Sequence, residues 1–286
     1  MLKISCNHII VLNIINILWG MNFIMGKLAL KYISPLLVVF IRIFLVSFLY
    51  ILLYNIFGIP KYIKQNFKKI FLLAIVGIVG NQCCFMTGLK YTTPEHSAMS
   101  ISFIPIFAHV IACFYKIEKP SIKTIFCLLI ATVGFFIIHS NAGLPSKIFI
   151  GDIITLCGAL LFAEYMVLVK VYDIPLTPFQ ISSLTYIFAV PIIFPLAIPF
   201  LNEMPLLLSK QVILPLLYIV IFASIIAYIL HMWVIKKIGV TKVSLYTFTQ
   251  PVWATIFSLM FFKEALTFHF IIGGILIIFS IILSEI

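Results

Sequence analysis

The sequence carries little charge and very little acid. Among its 286 residues only 9% are charged, eight are Asp or Glu, and Arg42 is the sole arginine. A soluble domain is about a quarter charged and about half apolar, whereas this chain is 64% hydrophobic with a mean hydropathy of +1.25. No stretch has the composition of a soluble domain, so the chain must work in or beside a membrane.

The chain also lacks the motifs of membrane enzymes. It contains no HExxH, HxxxH or DxxxD arrangement, no GxSxG elbow and no glycine-rich phosphate loop. The six cysteines have no CxxC spacing, which is typical of buried free thiols rather than a metal site. We therefore expect no enzyme, no metal and no cofactor. The net charge of +11 comes from scattered lysines, which favours basic cytoplasmic loops over nucleic-acid binding.

Apolar runs long enough to cross a bilayer recur from end to end. They predict an all-α integral membrane protein with ten transmembrane helices. The predicted helices cover residues 9–30, 36–57, 69–89, 96–115, 122–139, 150–171, 179–200, 211–235, 242–262 and 267–284. About twice as many lysines fall in loops on the side of the N-terminus as on the other side. We therefore expect both termini in the cytoplasm.

The two halves of the chain resemble each other, which predicts two five-helix domains at residues 1–142 and 143–286. The matched pairs are Lys27 with Lys170, Pro35 with Pro178, Lys90 with Lys236, Pro105 with Pro251, and Glu118 with Glu264. An odd number of spans per half places the second copy upside down in the membrane. Inverted repeats are typical of alternating-access transporters, with a site near the midplane. Channels and some membrane enzymes also contain repeats, so the pattern favours transport without proving it.

Two stretches carry a resemblance to a known family. The segment 19–42, WGMNFIMGKLALKYISPLLVVFIR, resembles the opening pattern of the EamA-type branch of the drug/metabolite transporter superfamily. The segment 88–107, GLKYTTPEHSAMSISFIPIF, is similar to a second pattern of that family, and its Glu-x-x-Ser/Thr junction occurs at 118–121 and 264–267. The resemblance implies ten helices, a central cavity between the halves, cytoplasmic termini, and export of a small metabolite, often an amino acid or derivative, across a bacterial inner membrane.

One acid, Glu164, lies in the middle of the apolar stretch 157–170, CGALLFAEYMVLVK. The EamA pattern usually has an uncharged residue there, so this is a departure from the family. A charge inside the membrane costs roughly 2.5–3.5 kcal/mol on insertion scales, so such a residue faces a cavity or a partner. Two interpretations stay open: coupling to protons or binding a cationic group, and fixing the packing of helices.

Other polar and aromatic residues of the predicted spans are candidates for the same site. Pro105 and Pro251 each free the carbonyl four residues earlier, which predicts a pair of kinks that bend during transport. The candidates for substrate binding or coupling are Trp19, Asn22, Asn81, Gln82, Glu164, Tyr165, Tyr228, His231, Tyr246 and Gln250. The polar ones could instead bond across helices. Arg42 could anchor at the membrane surface or pair with an acid inside the membrane, and the anchor is the favoured interpretation.

These observations predict a secondary transporter of the bacterial inner membrane. No ATP-binding motif is present, so a gradient of protons or of substrate would supply the energy. The expected partners are a small-molecule substrate and the lipid bilayer, with protons as a candidate coupling ion, and the chain would act as a monomer or homodimer. One alternative is proton-coupled efflux of cationic compounds. A different class, a membrane enzyme or lipid-handling protein, is the least favoured.

Overall fold

The computed structural model describes residues 6–58, 63–139, 146–262 and 268–285, and within these ranges the chain is helical without any strand. Fourteen α-helices follow one another along this part of the chain. They are α1 (Cys6–Ala29), α2 (Pro35–Phe57), α3 (Ile63–Leu73), α4 (Asn81–Tyr91), α5 (Pro94–Ile101), α6 (Ile104–Phe114), α7 (Ile122–His139), α8 (Ser146–Tyr172), α9 (Pro178–Ala197), α10 (Lys210–Tyr218), α11 (Ala227–Lys237), α12 (Val240–Leu245), α13 (Thr249–Phe262) and α14 (Phe268–Glu285).

Several of these helices join into stretches that can cross a membrane. Six are long and apolar enough: Asn7–Ala29, Pro35–Ile56, Ile63–Tyr91, Phe149–Tyr172, Pro178–Leu208 and Lys210–Lys237. Their outer surfaces are apolar, with Ile56, Leu208 and Leu214 each more than 60% exposed. Such a surface would aggregate in water and is suited to lipid. The prediction of an all-helical, multi-pass membrane protein is confirmed, while the count of ten spans stays a prediction.

Helices α2 and α9 begin at matching positions of the two halves, each at a proline. Proline suits the first helical position because the amide it lacks would have no partner there. Before α9, the Thr177 hydroxyl accepts a hydrogen bond from the Gln180 amide, and the Gln180 side chain accepts one from the Thr177 amide. This capping box explains why the helix begins where the sequence predicts. The two helices pack against each other across the halves.

Lysines hold helix C-termini together in both halves. In the first half, Lys27 at the end of α1 donates to the carbonyls of Leu89 and Thr92, at 2.9 and 2.5 Å. Lys90 at the end of α4 donates back to Leu30, at 2.5 Å. The ammonium groups satisfy carbonyls that have no partner inside the helix and lie at the negative end of its dipole.

The second half has the same reciprocal pair. Lys236 at the end of α11 donates to the carbonyls of Ile174 and Leu176, at 3.0 and 2.6 Å. Lys170 near the end of α8 donates to the carbonyl of Lys236, at 3.4 Å. These lysines are the ones that the sequence comparison matches between the halves. Glu264, the partner of Glu118 in that comparison, lies outside the described residues.

Two π-helical segments interrupt long helices at corresponding positions. Ala74–Gly80 joins α3 to α4, and Ile219–Ile226 joins α10 to α11. A π turn holds more residues than an α turn, and such insertions are frequent at functional sites. The helices that start directly after them, α4 and α11, open with Asn81–Gln82 and Ala227–Tyr228, which are matched pairs that include predicted site residues. These two π segments are not predicted from the sequence.

Breaks in the helices also precede the two matched prolines. The chain turns at Ser102 and Phe103 between α5 and α6, directly before Pro105 near the start of α6. In the second half, a 3-10 segment Tyr246–Phe248 separates α12 from α13, and Pro251 lies in the first turn of α13. A proline is tolerated in the first turn of a helix because no intrahelical donor is needed there. These breaks lie directly before the matched prolines, and the kinks at Pro105 and Pro251 stay a prediction.

Glycines allow α4 and α8 to approach until their backbones touch. A Cβ at Gly88 would lie 2.7 Å from the carbonyl oxygen of Gly151, and one at Gly151 would lie 2.8 Å from that of Gly88. Small residues at helix interfaces are the common means of close packing in membranes. This contact joins the first half of the chain to the second and places α8 beside the cavity described below.

Candidate functional site

A small cavity of about 60 Å³ lies where helices of both halves meet. Eight helices contribute to its wall, and most of the lining side chains are apolar or neutral polar. The lining residues are Trp19, Asn22, Phe23, Arg42, Asn81, Phe85, Ile101, Ile104, Phe162, Tyr228 and Gln250. A few precisely placed polar groups among aromatic rings are the usual composition of a small-molecule site. Five of the residues predicted from the sequence, Trp19, Asn22, Asn81, Tyr228 and Gln250, are among them.

Aromatic rings form one wall of this central cavity. The Trp19 ring meets Phe162 edge-on at 5.5 Å between centroids, and Tyr228 at 5.8 Å. The indole nitrogen of Trp19 donates to the carbonyl of Ala223 at 3.0 Å. Ala223 lies in the second π segment, where the hydrogen-bond pattern departs from that of an α-helix. The π segment thus fixes the ring of Trp19 against the cavity.

Amide side chains supply hydrogen-bond acceptors to the cavity. Asn81 donates from its nitrogen to the carbonyl of Gly158 at 3.0 Å, and Gln250 donates from its nitrogen to Asn16 at 3.0 Å. These bonds fix the amides, and neither carbonyl oxygen has a bonded donor in the described part of the chain. Asn22 is 6% exposed, and its buried Oδ1 also has no partner. Three acceptors are therefore available to a bound molecule.

Arg42 is the one permanently charged residue of the lining. Its side chain is 2% exposed, and its Nε donates to the Ser224 hydroxyl at 2.7 Å. The Ser224 hydroxyl in turn donates to the carbonyl of Ile219, five residues back in the π segment, at 2.7 Å. Arg42 follows the start of α2 by seven residues, about 10 Å along the axis. The expectation that Arg42 anchors at the membrane surface is wrong, because a surface anchor would not be buried at this depth.

Five other predicted residues lie outside the lining of this cavity. His231 is buried behind the aromatic wall, stacked on Phe162 with centroids 5.4 Å apart. Gln82 donates to the hydroxyl of Tyr186 at 2.9 Å, and the Tyr165 hydroxyl points at the sulfur of Met232, 3.7 Å away. These side chains support the wall.

The other two residues outside the lining are Tyr246 and Glu164. Tyr246 is buried in the 3-10 segment before α13. Glu164 is partly exposed, and its carboxylate accepts a hydrogen bond from the Tyr115 hydroxyl at 3.0 Å. Phe162, two residues earlier on α8, does line the cavity. Residues two apart on a helix point in nearly opposite directions, so Glu164 faces away from the cavity.

Two carboxylates connect the halves outside the cavity. Glu118, in the loop after α6, accepts from the backbone amide of Thr241 at 3.1 Å and from its hydroxyl. Burial opposes the charged form of Glu118, but the His109 ring 3.9 Å away and the Thr241 donors outweigh burial and lower its pKa below the usual value. Asp152 of α8 accepts from the Thr92 hydroxyl at 2.6 Å and lies 3.1 Å from the His96 ring.

A second cavity, of about 520 Å³, adjoins the Glu118 contact. Its lining includes Lys119, Lys123 and Lys242, on the side of the chain that the lysine distribution predicts to be cytoplasmic. Clefts lined by one sign of charge raise the local concentration of the opposite ion. Neither cavity offers a metal site, since no group of three or more His, Cys, Asp or Glu gathers within the described ranges.

The lining also includes residues outside the predicted set, namely Arg42 and the apolar residues Phe23, Phe85, Ile101, Ile104 and Phe162. A signal for Arg42 was present, because it is the only arginine and lies well inside an apolar run. Ionisable residues at such positions are functional candidates by default. The apolar lining residues could not be told apart from the other apolar residues of the spans by residue type.

The fold and the cavity define a multi-pass membrane protein with a buried polar site between its halves. The chain belongs to the EamA-like transporter family, whose model matches residues 8–140 and again residues 149–285. An uncharacterized transporter of Archaeoglobus fulgidus is 26% identical over 94% of this chain and 93% of its own length. The uncharacterized transporter YyaM of Bacillus subtilis is 26% identical over 94% of this chain and 90% of its own.

A solved crystal structure has the same fold. It superposes on 98% of this chain, and on 97% of its own, with a TM-score of 0.78 at 14% sequence identity. The family and these relatives establish a membrane transporter, as the resemblance in the sequence predicts.

Proposed function

We propose that the chain is a secondary transporter that moves a small polar metabolite, with an amino acid or derivative as the leading class, by alternating access. Its ten spans form two inverted five-helix repeats, and both termini lie in the cytoplasm of a bacterium, from which the substrate is exported. The observation that carries this proposal is the small polar cavity lined by both halves of the chain. A site between two repeats is where a rocking motion exposes a ligand to each side in turn.

The matched features of the halves support the repeat. Reciprocal lysine contacts, π segments and prolines recur at corresponding positions. The contacts of Glu118 with Thr241 and of Asp152 with Thr92 join elements of different halves away from the cavity. Contacts of this kind are suited to break and form as the halves move relative to each other.

Efflux of cationic compounds coupled through Glu164 is the second candidate, and no observation favours it. Glu164 bonds to Tyr115 and does not line the central cavity. Without a carboxylate in the lining, an organic cation would enter a site that offers it no opposite charge.

The test is transport by the purified protein in liposomes. Liposomes loaded with an unlabelled mixture of the twenty amino acids are diluted into each labelled amino acid in turn, with and without a pH gradient. We expect saturable uptake that depends on the internal pool, since exchange across an alternating site needs a returning ligand. The exposed Lys210 provides a control variant, Lys210→Gln, that should transport as the wild type does. Uptake that does not saturate and does not depend on the amino acids inside the liposomes would indicate a channel and refute alternating access.

A further inference from the structure

The charge of the central cavity is not balanced. Among the described residues that line it, Arg42 is the only Arg, Lys, Asp or Glu. Within the described ranges, no carboxylate lies within 4.0 Å of its guanidinium, and its one hydrogen bond is that from Nε to Ser224. Within this part of the chain, the terminal nitrogens of the guanidinium therefore have no acceptor. A guanidinium stays protonated at any physiological pH, so this site carries a fixed positive charge.

A buried charge without a partner is costly unless something else compensates it. Inside a membrane protein, an arginine in this position normally faces a partner or a ligand pathway. The planar guanidinium presents parallel N–H donors that match the two oxygens of a carboxylate. Because Ser224 holds Nε in place, the side chain is oriented before any ligand arrives.

Resting on the proposed function, we infer that the transported substrate is a small carboxylate-bearing molecule whose carboxylate binds to Arg42. The single charge of the lining matches a single negative charge. A phosphate group carries up to two charges near neutral pH and usually requires more than one cation or several backbone donors. The cavity supplies one guanidinium, so a carboxylate fits better than a phosphate.

The rest of the lining fits the other end of such a molecule. The carbonyl oxygens of Asn22, Asn81 and Gln250 are acceptors, and the nitrogens of the last two are already engaged. An ammonium or N–H group would satisfy them, and the faces of Trp19 and Phe162 also attract a cation. The carboxylate of a zwitterion would therefore accept hydrogen bonds from Arg42, and its ammonium group would donate to the amide carbonyl oxygens.

The first arm of the test uses the wild-type protein in liposomes. Each labelled amino acid is challenged with three unlabelled competitors: the same free acid, its primary amide, and the amine that lacks the carboxyl group. Neutral sugars, organic cations and inorganic phosphate are added as further competitors. We expect the free acid to compete about ten- to a hundredfold better than its amide or amine, the range for loss of a hydrogen bond to a charged group. This comparison does not depend on any variant folding.

The second arm changes the arginine. Arg42→Gln should lose the preference for acid over amide, and Arg42→Lys should keep part of it, since a lysine retains the charge without the forked donors. Ser224→Ala should weaken the preference by releasing Nε, and Lys210→Gln should leave it unchanged. Thermal unfolding of each purified variant shows whether it folds.

The outcomes separate the inference from the proposed function. If acid and amide compete equally, or if only sugars, phosphate or cations are carried, the assignment of a carboxylate to Arg42 is overturned while transport stands. If no compound of the panel shows saturable exchange, the proposed function itself fails. An acid preference that survives Arg42→Gln in a folded variant also overturns the assignment.

Discussion

The close approach of α4 and α8 predicts a stability loss from a single methyl group. In Gly151→Ala the new Cβ would lie 2.8 Å from both the carbonyl oxygen of Gly88 and the backbone nitrogen of Thr92. Ordinary contact begins at about 3.4 Å, so the two helices must separate by roughly 0.6 Å. Such overpacking costs about 1–3 kcal/mol. Alanine offsets about 0.5–1 kcal/mol of this cost because it is a better helix former than glycine.

The net effect should be a loss of up to about 2.5 kcal/mol, and its midpoint of about 1 kcal/mol lowers the Tm by roughly 2–4 °C. The matched control is Gly274→Ala in α14, where no described atom outside the helix's own backbone lies within 4 Å of the new Cβ, so this variant should be as stable as the wild type or slightly more so. Thermal unfolding in detergent micelles, followed by circular dichroism, measures both variants. Equal Tm values for Gly151→Ala and Gly274→Ala would refute the proposed backbone contact.

Three further predictions concern charged residues. Because its contacts lower the pKa of Glu118, its stabilisation is present above the pKa of the unfolded chain and is lost as the pH falls through the lower folded value. Glu118→Gln should remove that part of the pH dependence of unfolding, and Lys210→Gln, at an exposed lysine, should keep it. Glu164→Gln should transport like the wild type at each pH in the liposome assay, since the carboxylate of Glu164 lies outside the cavity. If this variant loses the flux that a pH gradient drives, Glu164 has a role in coupling. Lys27→Met should lower the Tm, because it leaves carbonyls at the end of α4 without donors at a cost of about 1–3 kcal/mol. Lys27→Arg should recover part of this loss. If Lys27→Met has the Tm of the wild type, water replaces the ammonium group.

The positions of the six long apolar spans could be predicted because hydrophobic length is a local property of the sequence. The start of α2 at Pro35 and of α9 at Pro178 follows from the proline and the polar residue before it. The two π segments could not be predicted, since Ala74–Gly80 and Ile219–Ile226 are as apolar as their neighbours. A π turn forms where contacts with other helices outweigh the α-helical pattern, and those contacts are not visible in one segment of sequence.

The candidate site was predictable where a polar residue had to face something other than lipid. Asn22 and Gln250 line the cavity for that reason. Glu164 was given undue weight as a candidate for the site. An acid in an apolar run can also avoid lipid by bonding at the edge of the protein, as Glu164 does with Tyr115. Arg42 was undervalued because its position near the start of a span suggests an anchor, and only the packing of α2 shows that its side chain turns inward.

The π segments have a consequence for the length of the chain. Each inserts residues into a helix without rotating the parts before and after it, so the loss of one residue from 219–226 can be absorbed by a return to ordinary α-helix. Loss of one residue from α2 between Pro35 and Arg42 would instead turn everything beyond it by about 100°. We therefore expect folding to be less sensitive to the loss of a residue from 219–226 than to a loss before Arg42, while the contacts of Ala223 with Trp19 and of Ser224 with Arg42 would shift.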